Sequence, residues 1–359
     1  MACQWCLNEE DTVVVADGAR SGLAIRGVAG ALGSTLLRYT AKDGFDKDFI
    51  HYLLESLYPF TNAATIGGAI PHLDKRLLAR LELRVPSKEE RETIGSILRT
   101  ADKALEAAKL ELEAALYLKT GFMQHLFLTG IPGHHSSFER LQVLRKHFDI
   151  PAQWEAARLG GCSASIQYGT SAPSNGFTGG YPVIAIPQVV AHRLELGDVP
   201  YVLLSDREAE SLRLQKDDVL LVRTNGNPDY IAKSTAVTEE VASQHVVFAS
   251  YLIRVRTNPN LLLGTYLNYF LASPLGRRQA LAMANTSAGN HNLGARSLKQ
   301  FWLPRPSIVE QERIVEIMDS SEDTIDALTA KLDSLTRLKK SLLQNLITGK
   351  VRVRMGVTA

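Results

Sequence analysis

Residues 94–126 read IGSILRTADKALEAAKLELEAALYLKTGFMQHL, and residues 314–346 read IVEIMDSSEDTIDALTAKLDSLTRLKKSLLQNL. In the first stretch apolar side chains step along Ile94, Leu98, Ala101, Leu105, Ala108, Leu112, Ala115, Phe122 and Leu126, with Lys119 at the one seam position that should be apolar. The second stretch runs Ile314, Met318, Ser321, Ile325, Leu328, Leu332, Leu335, Leu342 and Leu346, and breaks at Lys339, an offset of 220 residues from Lys119. Side chains that meet about every 3.5 residues on one stripe make a helix supercoil about a partner. Either copy alone would be an ordinary core helix or a dimerisation strap. Two copies in register predict that each is the other's partner, antiparallel within one chain. The predicted seam uses Ile94, Leu98, Leu105 and Leu112 from one helix and Ile314, Met318, Ile325 and Leu332 from the other. At about 1.5 Å per residue the matched stripe is roughly 50 Å long, enough to hold two globular modules apart.

The repeat extends beyond the stripe. Pro86-Ser87 with Glu90 and Glu92 matches Pro306-Ser307 with Glu310 and Glu312, and the copies stop at Thr129-Gly130 and Thr348-Gly349. Proline ends a preceding extended segment, serine can cap the helix, and glycine suits a left-handed stop. Upstream, Leu73, Leu78, Leu83 and Pro86 match Leu293, Leu298, Leu303 and Pro306, and Glu10 to Val15 resembles Asp217 to Val222 as an acidic turn entering a strand. Phe49 to Leu57 and Leu261 to Leu271 are expected helices, Asp17 to Gly22 is a turn between short strands, and Thr65 to Leu73 and Asn285 to Leu293 read as polar loops. Nothing before Glu9 corresponds to Pro151 through Lys216, so the first module reads as truncated at its N-terminal side. The predicted fold is α/β (α+β): a partial first module at 1–85, a helix at 86–130, a linker at 131–150, a second module at 151–304, a second helix at 305–350 and a tail at 351–359.

Composition narrows the function. With 359 residues and 45% hydrophobic content the chain can build two modest cores. No apolar run is long enough to span a bilayer, and Asn8-Glu9-Glu10-Asp11 stands where a signal peptide would be hydrophobic, so a cytoplasmic protein without membrane contact is expected. Cys3, Cys6 and Cys162 make no disulfide framework, and Cys3-Gln4-Trp5-Cys6 lacks the second ligand pair of a zinc site. The glycines from Gly18 to Gly33 lack the G-K-[ST] of a phosphate loop. Asn227-Pro228-Asp229-Tyr230 approaches the N-P-P-Y loop of adenine methyltransferases, but Asp229 replaces a proline and no glycine-rich cofactor strand accompanies it, so a turn is the better reading. Neither a metal, a cofactor nor a catalytic constellation is expected.

The loops do carry side chains that can read base edges. Arg223, Thr224, Asn225, Asn227 and Lys233 lie in one, and Asn285, Ser287, Asn290, His291 and Asn292 in another; Arg20 and Ser21 occupy the turn of the first module. Arginine and lysine pair with guanine, asparagine with adenine, and serine or threonine with either. A net charge of only +2 means that any DNA binding must use local patches or partners rather than bulk basicity.

Together these residues give a resemblance. The helical repeats, Pro151-Ala152-Gln153-Trp154-Glu155, the strand Asp218 to Arg223, and Gly289-Asn290-His291-Asn292-Leu293 make the sequence similar to the specificity subunit of type I restriction-modification enzymes. The resemblance implies two target recognition domains that each read half of a split double-stranded DNA site. It also implies antiparallel helices that set the spacing and dock two methyltransferase subunits, a complex that includes restriction subunits, and no catalysis by this chain. The alternative is a coiled-coil scaffold whose modules bind protein or a small ligand. In either case the helix is the common element, and an interior proline should cost about 3 kcal/mol or more. Leu112→Pro is therefore expected to lower helical content, read by circular dichroism, and to abolish partner binding; retention of both would remove the helix from its central place.

Overall fold

The computed structural model describes residues 6–42, 45–83, 85–143, 146–175, 179–191, 194–287 and 289–353. Cys3, and with it the C-x-x-C spacing, lies outside them. The chain divides into two compact units, Met1–Glu113 with Asp326–Ala359, and Ala114–Ile325. Both borders fall inside the long helices, Lys88–Thr129 and Ile308–Ile347, rather than in the segment expected as a linker.

In the first unit the β-branched run Thr12-Val13-Val14-Val15 forms β1 (Thr12–Val15), the centre of an antiparallel sheet ordered β2–β1–β3 with β2 (Ala24–Ile25) and β3 (Leu36–Tyr39). Helix α1 (Lys47–Ala63) starts at Asp46, whose carboxylate accepts from the Phe49 amide at 2.8 Å. It buries Phe49 and Tyr52 against Ile94 and Leu98 of the first long helix and Leu346 and Ile347 of the second. The long helices are antiparallel here: Asp102 meets Lys339 at 2.7 Å, whereas Glu111, further along, meets Lys331 at 2.6 Å. Glu111 and Lys331 stand 220 residues apart, so a repeat position touches its own equivalent.

The second unit builds a larger version of the same plan. Its main sheet is ordered β8–β6–β9–β5, all antiparallel, from β5 (Ser163–Tyr168), β6 (Val219–Val222), β8 (Ser234–Ala236) and β9 (Leu252–Thr257). Strand side chains alternate between faces. Accordingly Val219 and Leu221 enter one core with Ile253 and Val255, and Leu220 and Val222 enter another with Leu252 and Phe248. Helix α2 (Gly264–Ala272) packs Tyr266 and Phe270 beside Leu126, Phe127, Ile314 and Met318, the equivalents of the α1 contacts. A further antiparallel pair joins β4 (Glu155–Arg158) to β12 (Trp302–Arg305) just ahead of the second long helix. Asp218, fully buried, accepts from the Arg256 guanidinium at 2.8 and 2.7 Å, a charge held by two bonds where an unpaired one would be costly.

The helix ends follow the sequence. Ser87 and Ser307 accept from the Glu90 and Glu310 amides, each at 3.3 Å, and Gly130 and Gly349 adopt φ of 76° and 70°. The seam residues are buried at Ile94, Leu98, Ile314, Met318 and Ile325 and half-buried at Leu105, Leu112 and Leu332.

One expectation is corrected. The segment 131–150 is not a bare linker: Phe138–Val143 and Lys146–Pro151 form an antiparallel hairpin that buries Val143 and Ile150. His135, in the same stretch, is half-buried: its Nε2 meets Glu310 at 2.6 Å beside the Trp154 indole, which donates to Glu310 at 2.9 Å. The half-buried carboxylate of Glu310, not the local composition, decides that placement.

His51 of α1 provides a test of the first unit. Burial, then the nearby Arg26, pushes its pKa down from 6.5 to about 4. Between these values the unfolded chain binds a proton that the folded imidazole refuses, so stability falls as pH drops through the window and is unaffected above it. The loss is expected to reach about 3 kcal/mol near pH 4. Urea unfolding followed by circular dichroism should show this acid limb in the wild type and a flatter profile in His51→Gln; identical profiles would contradict it.

Candidate nucleic-acid interface

The two polar stretches singled out in the second module become one surface. Asn285 to Asn292 is a β-hairpin rather than a loop, with strands β10 (Asn285–Ser287) and β11 (Asn290–Asn292) joined by a turn in which Gly289 takes φ of 77°. Strand β7 (Thr224–Asn225) pairs with its other side, giving the order β7–β11–β10. The register places Thr224, Asn292 and Asn285 in one row and Asn225, His291 and Thr286 in the next. Directly opposed residues share a face and successive rows alternate. The Thr286 hydroxyl and His291 Nδ1 lie 3.2 Å apart, as that geometry requires. Asn285, Thr286 and Asn290 are exposed, while Thr224, Asn225, His291 and Asn292 are half-buried. The side chain of Ser287 lies outside the described part of the strand.

Beside this sheet the chain from Asn225 to Tyr230 folds on its own side chains. The Asn225 carboxamide oxygen accepts from the Asn227 amide at 2.8 Å, and that of Asn227 accepts from the Asp229 amide at 2.9 Å. Pro228–Tyr230 is a single 3₁₀ turn, as expected for a segment that only approaches a methyltransferase loop. Lys233 is exposed, with its ammonium 4.8 Å from the centre of the Tyr230 ring. From beneath, the half-buried Arg277 donates to the carbonyls of Ile231 and Asp229, and burial lowers its pKa. Nothing in the local pattern around Arg277 signals this supporting role, which depends on a helix far away in sequence.

Arg223 departs from the expectation of a projecting base reader. Its guanidinium lies over Tyr168 at 4.6 Å and donates to the Ser250 carbonyl at 3.3 Å, while the Tyr168 hydroxyl accepts from the Ala295 amide at 2.9 Å. Arg223 therefore ties β5 to the turn before β9, and the Tyr168 hydroxyl ties β5 to the start of the short helix Ala295–Lys299 that follows the hairpin. Ser21 departs further: it is fully buried, and its hydroxyl lies within 3.0, 2.9 and 3.1 Å of the carbonyls of Ala16, Gly18 and Pro71. A hydroxyl spent on tying a turn together has none left for a base. Arg20 beside it is exposed.

The first unit repeats the hairpin in miniature. Ile66 and His72 exchange backbone bonds of 2.9 and 2.8 Å, and Asp17 forms a bridge with His72, just as Thr224 pairs with Asn292. The Leu73 amide donates to Ala16 at 2.8 Å and the Leu293 amide to Arg223 at 2.8 Å, the same step in both units. The tip differs in chemistry: Ile66 and Ile70 are exposed in place of the asparagines.

One acidic cluster invites a metal reading. His51, Glu55 and Asp102 bring ligand atoms within 4.8 Å of one another, but the Lys339 ammonium already bonds both carboxylates, at 2.8 and 2.7 Å. Burial alone would lower the Lys339 pKa, and the bonds to Asp102 and Glu55 outweigh it and raise it. Among the described residues no helix is long and apolar enough to cross a membrane.

A chain with two repeated units, a long helix after each and a polar hairpin surface is a recognition subunit in design. Residues 3–114 and 151–337 match the family described as type I restriction modification DNA specificity domain, and the chain belongs to that family. It is 24% identical over 352 residues to the MjaVIII type I restriction enzyme specificity subunit of Methanocaldococcus jannaschii, covering 97% of this chain and 80% of that one. It is 21% identical over 296 residues to the EcoKI specificity subunit of Escherichia coli, covering 80% of this chain and 62% of that one. The fold also resembles the crystal structure of a type I restriction-modification S subunit from M. genitalium, with a TM-score of 0.59 at 15% identity over 98% of this chain and 85% of that one.

If Arg223 supports the sheet rather than touching a base, Arg223→Ala is expected to weaken DNA binding by a similar factor on every sequence. Competition binding against a panel of sites mutated one base pair at a time measures this. A loss confined to one base position would restore it as a direct reader, worth about 1–3 kcal/mol.

Proposed function

We propose that this chain is the DNA-reading subunit of a type I restriction-modification complex and catalyses no reaction itself. The second unit reads one part of a bipartite site, with the β7–β11–β10 sheet in the major groove and the 225–233 loop alongside it. The observation that carries this reading is the convergence of two stretches some sixty residues apart, both rich in asparagine and threonine, into one exposed three-stranded sheet. The major groove admits a two-stranded β-ribbon such as β10–β11, and there asparagine can bond adenine through both N6 and N7. The smaller hairpin around Ile66 and His72 stands at the equivalent position in the first unit, and with apolar side chains at its tip it reads by shape and contact more than by hydrogen bonding.

Methyltransferase subunits, two in number, and restriction subunits are the proposed protein partners, docked through the long helices. In the second unit Leu118 and Phe122 remain exposed on the first helix and border a groove of about 440 Å³ with Ile317 and Thr324 of the second. The interaction-scaffold alternative gains no specific support from the structure, because the polar hairpin would then have no role.

Two substitutions separate base reading from phosphate attraction. Asn290→Ala, at an exposed position near the hairpin tip, is expected to cost about 1–3 kcal/mol at one base pair and little elsewhere. Lys233→Ala is expected to weaken all sequences alike and to flatten the dependence of log K on log salt by roughly one ion. Both are read by gel shift or fluorescence anisotropy on duplex DNA with the chain in complex with its methyltransferase. Binding that is salt-dependent but indifferent to sequence in the wild type would overturn the proposal.

A further inference from the structure

An asparagine side chain carries one acceptor oxygen and one NH2 group, and whatever the fold does not use of them is left for a base. The Asp229 amide is a donor, so the atom of Asn227 that faces it at 2.9 Å is the carboxamide oxygen, and the Nδ2 group is turned the other way. Asn227 is exposed, and its two Nδ2 hydrogens have no acceptor among the described residues. Asp229 is exposed too. Its main chain is held by Asn227 and, at the carbonyl, by Arg277 at 3.1 Å, but its carboxylate bonds no described residue. Folding of this turn thus leaves over one NH2 group and one carboxylate.

A bare carboxylate is out of place on a surface that meets phosphates, but in the major groove it has a use, because cytosine offers its N4 hydrogens there. Guanine offers N7 and O6, two acceptors next to each other, which suit an NH2 group with both hydrogens available. Within the pair O6 and N4 are bonded to each other, about 3 Å apart, so a donor and an acceptor that read them must also be neighbours. Asn227 and Asp229 meet that condition across a single turn. Asn290 differs: its carboxamide bonds no described residue, so oxygen and nitrogen are both available for the paired contact with adenine N6 and N7. The register carried one step past Asn225 and His291 sets Gly226 opposite Asn290, and a Cβ on Gly226 would lie 3.7 Å from Asn290 Oδ1. Turn and hairpin tip therefore stand next to each other.

We infer that Asn227 and Asp229 together read one G·C pair, the amide nitrogen donating to guanine and the carboxylate accepting from cytosine N4, beside an A·T pair whose adenine is read by Asn290. This assignment rests on the proposed recognition function and adds to it the identity of two neighbouring base pairs. Lys233 keeps its place as a phosphate contact.

Selection from a pool of randomised duplexes by the chain in complex with its methyltransferase gives the preferred site, and competition binding on that site measures each contact. The site should hold a G·C pair beside an A·T pair. Asn227→Asp keeps an oxygen for the Asp229 amide but has no NH2 group, and Asp229→Asn keeps the main-chain bonds, so both preserve the turn. Each should lower discrimination at the G·C pair about tenfold or more and leave the A·T preference intact, and Asn290→Ala should do the reverse. Asp229→Asn should also bind unrelated duplexes more tightly, because it removes a negative charge, an effect that mere damage to the turn would not produce. On the DNA side, a methyl group on N4 of that cytosine should weaken the wild type about tenfold and Asp229→Asn hardly at all. The assignment alone is overturned if the selected site has no G·C pair beside the A·T pair, or if the G·C preference survives both substitutions. A wild-type complex that selects no sequence overturns the recognition function and this assignment with it.

Discussion

In each unit the paired helices carry one lysine in a mostly apolar seam, and the register of the helices depends on its partners. Lys339 bonds Asp102 and Glu55 in the first unit, and Lys119 bonds Glu322 in the second. Asp102 and Glu322 are separated by the same offset as the two lysines, so the interaction is duplicated along with the helix. A leucine seam alone tolerates a slip of one heptad with little loss, since every layer looks like the next. A slip that strands a half-buried ammonium away from its carboxylates costs several kcal/mol. The charge therefore contributes less to stability than to choosing one alignment, and that alignment brings Leu346 and Ile347 to α1, and Leu126 and Phe127 to α2.

Much of this was legible in the sequence because its causes are local or repeated. Ser-capped starts, Thr-Gly stops and the position of each seam break depend on residues within a turn or two of the chain, and the repeat doubled the signal. The hairpin between Phe138 and Pro151 was not legible. Its alternation is interrupted by charge, and only the presence of a core beneath Val143 and Ile150 makes it a ribbon. His135 escaped for a related reason: its partner Glu310 is 175 residues away.

The candidate surface was half legible. Composition singled out the polar residues, and pairing made them one surface, since no propensity rule predicts that Thr224–Asn225 will lie against Asn290–Asn292. Arg223 and Ser21 show the limit of reasoning from residue type. An arginine beside an exposed sheet can reach outward or stack on Tyr168, and a serine in a glycine-rich turn can face solvent or point its one hydroxyl proton into a cluster of three carbonyls. The decision belongs to neighbours distant in sequence. Ser21 has no latitude, because its hydroxyl is closed in by Ala16, Gly18 and Pro71 on every side that the turn leaves open.

The two hairpins stand on unequal foundations. Beneath the larger one lie two hydrophobic cores, a four-stranded sheet and the Arg223–Tyr168–Ala295 linkage, which together restrict the side chains of β11. Beneath the smaller one lies a sheet of three strands whose own cluster is built on Val14, Ala24 and Leu73. Hydrogen-bond readout demands groups fixed to within a fraction of an ångström, whereas shape and apolar contact tolerate more play. Asparagines over the rigid base and isoleucines over the slighter one follow that rule. In the proposed reading, the chemistry at each tip matches the support beneath it: hydrogen-bonding groups over the larger core, apolar contact over the smaller.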